Sequence, residues 1–348
     1  MKAGSLDRKK ALSRRSFLRA SSAIALGTWA VPGFSLAGLS SSLHFRRSAY
    51  TMGSIATITA YCDDRGLAEH AVQQAFREMK NTDRLMSVFD PGSQLSAVNR
   101  LAADRAVEVD PGIISVLGSA QAFSALTRGA FAVTVEPLMD LYGFRDDETV
   151  RGFPTDRELA LALESVGMHN VSFDRRESTV SLKCPLTRLD FGGIAVGYAV
   201  DRAAEVLRSQ GIESALINHS GDLYAIGAPP GKTGWEVGIT DPSNTSGIIT
   251  TVRIKDQALS TSGNYENFVK SDGHVTGHLL NPRSGRSASG VLSGTVIADT
   301  ATGADALSTG FFVLGIDETR RIIRQSLRLR FIGVIQKDGG EEVVDVAP

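Results

Sequence analysis

Residues 189–198 read Leu189-Asp190-Phe191-Gly192-Gly193-Ile194-Ala195-Val196-Gly197-Tyr198. An apolar run ends in a double glycine and passes into helix-forming residues. The spacing predicts a strand over Thr187–Phe191, a glycine turn, then a helix over Tyr198–Ser209 that Gly211 stops. Val200, Ala203 and Leu207 would share the buried face of that helix. A turn of this kind leaves backbone N–H groups free at a helix start, a natural place for an anion. Glycines there also let backbone approach a ligand closely. A plain tight turn would use the same residues, and the spacing does not separate the two.

Outward from this turn, upstream, Thr51–Cys62 alternates apolar and small polar residues as a strand does. Leu67, Ala71, Ala75 and Met79, with Ala68, Val72 and Phe76 beside them, recur at helical spacing behind a cap at Asp63 or Asp64. A second helix is expected from Ile113 to about Thr127, closed by Gly129. Thr155 and Glu158 form a capping-box pattern that opens a third, with Gly167 at its end. Ser178–Leu182 reads as a strand. Downstream, strands are expected at Ala215–Asn218, Trp235–Thr240, Ile249–Lys255, Ala258–Thr261, Val291–Ala298 and Phe331–Gln336, with helices at Ala304–Leu314 and Asp317–Ser326. Strands and helices mix without a βαβ rhythm, which predicts an α+β fold and not a doubly wound sheet.

The chain has 348 residues, 42% of them hydrophobic, enough for one large domain or two moderate ones. The first 37 residues read as an address. Lys2, Arg8, Lys9 and Lys10 are followed by Arg14-Arg15-Ser16-Phe17-Leu18 and a mildly apolar stretch broken by Gly27, Pro32 and Gly33. That is a twin-arginine export signal, with cleavage expected after Ala37 and a destination in the periplasm. Residues 38–348 are then the folded domain. Losing the leader takes the net charge from −1 to −7, and no basic stripe remains for nucleic acid. Cys62 and Cys184 are the two cysteines; an oxidising compartment would allow them to pair, but sequence cannot bring them together.

Further segments carry candidate chemistry. Asp305 and Thr309, in Ala304-Asp305-Ala306-Leu307-Ser308-Thr309, share a helix face. A carboxylate with a hydroxyl suits Mg²⁺, which keeps positions open for phosphate oxygens. The alternative is an Asp that favours the helix dipole and a Thr bonded back to a carbonyl. His278, in Gly277-His278-Leu279-Leu280-Asn281-Pro282, could act as a general base or be structural. His274 lies four residues before it, but Gly273 and Gly277 argue against the helix that a two-His zinc site needs. Leu259–Glu266 and Arg128–Pro137 complete the set. Gly227–Thr233 has only three residues between its glycines, so it is a loop and not a phosphate-binding P-loop. No Gly-x-Ser-x-Gly occurs.

Taken in order, these segments resemble one family over nearly the whole chain after residue 50. Met52-Gly53-Ser54 comes first, then Met86-Ser87-Val88-Phe89-Asp90 with Asn99, then Gly129-Ala130-Phe131 ahead of Pro137. Asp190–Tyr198 with Asp201, Trp235–Ile239, Thr261–Tyr265, His278–Gly285 and Ala304–Thr309 follow. The chain is similar to the ApbE family of FAD:protein FMN transferases. The resemblance implies a bilobal α+β fold, T-fold-related, with FAD as substrate between the lobes. It implies Mg²⁺ on the pyrophosphate, held by Asp305, Thr309 and a backbone carbonyl near Gly193, and His278 as base or orienting group. Met52, Phe89, Ala130, Phe131, Ala132, Asp190, Val196, Ser262 and Leu280 fall on flavin-binding positions. The implied reaction moves FMN onto a Thr hydroxyl of a redox protein and releases AMP. Implied acceptors are subunits of the Na⁺-pumping quinone reductase or Rnf complexes, or the regulatory flavoprotein of nitrous oxide reductase. An FAD pyrophosphatase and a non-catalytic FAD-binding accessory protein are the alternatives on the same scaffold. The chain departs from the family's pattern at Ala132 (commonly Asp), Val196 (commonly Lys) and Asn218-His219-Ser220-Gly221 (commonly Asn-x-Gly-Gly).

Overall fold

Eight antiparallel strands form the spine of the protein. The computed structural model describes residues 43–145, 153–264, 268–271, 274–325, 328–337 and 340–348. The export signal expected over residues 1–37 lies outside them, as do Tyr265 and Glu266. In chain order the elements begin with strands β1 (Leu43–Thr51) and β2 (Ser54–Cys62) and helices α1 (Arg65–Met86) and α2 (Gln94–Leu101). Then come β3 (Val107–Glu108), α3 (Pro111–Leu126), α4 (Glu136–Leu141), α5 (Asp156–Glu164), β4 (Val171–Asp174) and β5 (Thr179–Leu182). Helix α6 (Ala195–Ser209) leads into β6 (Ser214–His219), β7 (Asp222–Ile226), β8 (Trp235–Thr240), β9 (Ile248–Ile254) and β10 (Gln257–Gly263). Strands β11 (Phe268–Ser271), β12 (His274–Gly277) and β13 (Ser293–Ala298), helices α7 (Ala301–Leu314) and α8 (Ile316–Ile323), and strands β14 (Arg330–Lys337) and β15 (Gly340–Val346) complete it.

The large sheet runs β1-β2-β6-β7-β10-β13-β14-β15, antiparallel throughout. One face buries α1, α6 and α7 in a core built from Ile58, Val72, Met79, Val200, Leu207, Phe311 and Phe331. The β8–β9 ribbon covers the other face, with Trp235 and Ile254 on Leu223, Leu259 and Ile332. A second core gathers α2, α3, the small β3-β5-β4 sheet, Phe131 and Phe191. Helix α7 serves both: Ala304 and Leu307 enter the first core and Ala306 the second. Met52 packs against both as well. The seam between the cores therefore runs along α7, which carries Asp305 and Thr309.

Local signals set most element ends. Asp64 caps α1 by accepting from the N–H groups of Gly66 and Leu67, a contact worth about 1 kcal/mol. The capping box of Thr155 and Glu158 forms in both directions. Several expected bounds need correction; α7, for one, starts at Ala301 and not at Ala304. Thr187–Phe191 is not a strand. Its backbone is satisfied from elsewhere: the Asn99 side chain donates to Leu189 O (2.9 Å) and accepts from Leu189 N (2.7 Å), while Asp190 N donates to Val133 O (2.8 Å). Helix α6 starts at Ala195, three residues before the expected Tyr198. Cys62 and Cys184 are both free.

Candidate active site

Helices α6 and α7 meet at Gly197. A Cβ placed there would lie 2.3 Å from Ala301 O and 2.7 Å from Asp305 Cβ, so glycine alone permits the crossing. The same approach lets Gly197 N donate to Asp305 Oδ2 at 2.9 Å. The anion at this helix start is thus a carboxylate of the protein itself. Asp201, one turn further along α6, accepts from the N–H groups of Ala301 (2.7 Å) and Thr302 (2.8 Å) and caps the first turn of α7. Two carboxylates from the quoted segments therefore lock α6 against α7.

Asp305 is only 6% exposed. Burial pushes its carboxyl well above the usual range, Asp222 and Asp201 add to the rise, and the Gly197 hydrogen bond opposes it. Among the described residues no ion pair involves it, and its Oδ2 accepts from Gly197 N. Thr309 stands one turn on. Its hydroxyl lies 3.5 Å from where a Gly193 Cβ would be, and Phe131 is equally near that point. The structure thus brings Gly193, Phe131 and Thr309 together beside Asp305. One buried carboxylate, one hydroxyl and nearby backbone form a hard oxygen set, whose chemistry fits Mg²⁺. Among the described residues no group of three or more His, Cys, Asp and Glu gathers as a thiolate or imidazole metal would require.

Strand β10 extends the site. Side chains two apart on a strand share a face, so Ser260 and Ser262 both reach Ser308 of α7, at 3.3 and 2.7 Å, and Ser262 also meets Thr309 at 3.1 Å. Asn264, two residues beyond Ser262, accepts from Leu279 N at 3.0 Å and donates to Ala288 O at 3.2 Å. Leu279 is buried against Phe312 of α7. His278, half-buried, precedes the Leu279 that Asn264 holds just past the end of β10. Leu280 instead enters a cluster with Leu138, Tyr142 and Leu159, on the α4 side.

The positions expected from the sequence to contact flavin divide. Phe89 is 52% exposed, whereas Ala130, Phe131 and Ala132 are buried. Asp190 pairs with Arg145, whose guanidinium lies 5.2 Å over the Phe89 ring. Met52, in a left-handed conformation (φ 47°), donates its N–H to Asp83 at 2.7 Å. Asp83 and Phe89 line one groove of about 410 Å³. Val196 is half-buried beside Gly197. Sequence reasoning missed Arg145, Asp83, Ser308 and Asn264. Asn264 sits inside a quoted motif, but nothing in the pattern around Arg145 marks it.

The ApbE family model matches residues 52–332. The chain belongs to the ApbE family. It is 29% identical over 297 residues to the FAD:protein FMN transferase of Vibrio cholerae, covering 84% of this chain and 88% of that protein. To one from Klebsiella pneumoniae it is 30% identical over 282 residues, 80% and 85% of the two chains. Among solved structures, the ApbE protein of Thermotoga maritima superposes with a TM-score of 0.78 at 32% identity, over 86% of this chain and 97% of that one. The apo flavinyl transferase ApbE of Pseudomonas stutzeri gives 0.78 at 26% identity, over 89% and 96%. The α+β architecture read from the sequence is the ApbE fold, and α7 at the seam of its two cores carries the Ala-Asp-Ala-x-x-Thr segment of this ApbE chain.

Proposed function

We propose that this flavin transferase uses Mg²⁺ to move FMN from FAD onto a threonine hydroxyl of an exported or membrane-bound redox protein, outside the cytoplasm. The observation that carries it is the seam of α7, where Asp305 is buried with no ion-pair partner among the described residues and the Thr309 hydroxyl stands against Gly193. Asp305, Thr309 and the Gly193 carbonyl would hold the metal, which supplies charge neutralisation on the pyrophosphate. The bond formed joins the acceptor oxygen to the FMN phosphorus; the bond broken is the pyrophosphate link, and AMP leaves. His278 takes the hydroxyl proton. The α6–α7 lock and the hydroxyls of Ser262 and Ser308 keep Asp305 and Thr309 in place, which matters because positioning and electrostatics carry most phosphoryl-type transfer.

The deciding experiment mixes the protein, FAD, Mg²⁺ and a threonine-bearing acceptor domain, then weighs the acceptor by mass spectrometry beside an Asp305→Ala control. An FMN-sized gain, absent from the control, supports the proposal. AMP release without acceptor would mark a pyrophosphatase. Tight FAD binding with neither product would mark a binding protein and direct attention to Ala132 and Val196. Export is tested separately: replacing Arg14 and Arg15 by Lys should retain the protein in the cytoplasm.

A further inference from the structure

Arg145 stands next to the expected flavin positions Phe89 and Asp190, and the transfer chemistry leaves its role open. Its side chain is 14% exposed and that of its partner Asp190 is 11% exposed. It also covers the Phe89 ring at 5.2 Å, and so ties an aromatic position to an acidic one. Its Nε is buried and has no hydrogen-bond partner among the described residues. Buried guanidinium N–H groups are seldom left without an acceptor, and an orphan of this kind points to a ligand atom.

Charge decides what kind of atom. Asp190 neutralises Arg145, and Glu136 and Asp140 lie in the same field, with Arg188 as the other cation. With its charge met by Asp190, Arg145 offers no surplus positive charge to a phosphate. A neutral carbonyl oxygen on a flat ring meets the requirement: the ring lies against aromatic and guanidinium planes, and its carbonyl accepts from Nε.

We infer that Arg145 is a specificity-determining residue that reads a carbonyl of the isoalloxazine ring beside Phe89 and fixes the ring's orientation before transfer. This rests on the flavin assignment above.

The test titrates riboflavin, FAD and ADP against the wild type, Arg145→Lys and Arg145→Ala, with thermal melts alongside. Lysine keeps the charge opposite Asp190 but loses the planar Nε donor. Riboflavin and FAD affinities should fall about tenfold together in Arg145→Lys, the value of roughly one hydrogen bond, while ADP affinity is unchanged. A loss for FAD and ADP with riboflavin unaffected would assign Arg145 to phosphate and overturn the inference. Unchanged affinities in both variants, with a lower melting temperature in Arg145→Ala, would leave it only a structural partner of Asp190 and overturn it equally. Ring-dependent binding without FMN transfer would sink the proposed activity and leave the Arg145 inference standing.

Discussion

Replacing Gly197 by alanine is the sharpest test of the α6–α7 lock. Helix propensity alone favours the change by about 1 kcal/mol. The structure reverses that sign. The new methyl would lie 2.3 Å from Ala301 O and 2.6 Å from Ala301 C, and both are backbone atoms that cannot rotate away. Restoring ordinary contact requires the helices to part by about 1 Å. Overpacking of this kind costs about 1–3 kcal/mol, and weakening the Gly197–Asp305 hydrogen bond adds about 1.5–3 kcal/mol. The clash wins, with a net loss of about 1.5–5 kcal/mol after propensity is credited. Asp305 moves with α7, and a 1 Å displacement of a positioning group costs roughly 10²-fold in rate. Melting curves and FMN-transfer rates should be measured beside Gly211→Ala. At Gly211 φ is +83° and nothing lies within 4 Å of the new Cβ. That control should lose about 1 kcal/mol of stability and no transfer rate. A Gly197→Ala protein that melts at or above the wild type and transfers FMN at the wild-type rate would refute the reasoning.

Asp305→Asn should melt no lower than the wild type in chelator, because it removes a buried charge facing Asp222 and Asp201 while its amide oxygen can still accept from Gly197. It should lose the stabilisation that Mg²⁺ with FAD gives the wild type, about 2.7 kcal/mol at a hundredfold excess over Kd. Ser220 (φ 54°) and Gly221 (φ 99°) form the two-residue turn between His219 and Asp222, a geometry in which Asn-Gly is preferred. Ser220→Asn should therefore raise stability by about 0.5–1 kcal/mol in denaturant titrations. Burial pushes the His219 imidazole below its ordinary value, and its Nε2 is bonded to Thr51 O at 3.1 Å. A depressed histidine contributes stability that is complete above its unfolded pKa near 6.5 and is lost as pH falls toward the folded value, by up to about 1.4 kcal/mol per pH unit. Melts between pH 7.5 and 5.5 should slope less in His219→Gln; equal slopes would exclude this histidine as the source.

The α6 segment shows why some of the site was legible. Its glycines, its apolar face and its stop at Gly211 are local signals, and the helix forms where they point, three residues early. The Thr155–Glu158 box and the four-residue spacing of Asp305 and Thr309 were legible for the same reason: both partners lie within one turn. Thr187–Phe191 misled because its composition suits a strand. Whether an extended segment becomes one depends on what its backbone meets, and Leu189 meets Asn99, 90 residues away. Arg145 stayed hidden because its meaning lies in Asp190 and Phe89, neither of which it neighbours in sequence.

By itself, then, the sequence determined the α+β class, the main helices, the order of the family's motifs and the pairing of Asp305 with Thr309 on one helical face. Each follows from a period of two or 3.6 residues, a cap, or a glycine, all of which act over a few residues of chain. Tertiary structure alone decided that Gly197 would bond Asp305, that Asp201 would cap α7, that Ser262 would reach Thr309 and that Arg145 would cover Phe89. All four contacts join residues between 47 and 108 positions apart. No local preference encodes them; they exist because two cores close around α7 and leave its polar face at their seam.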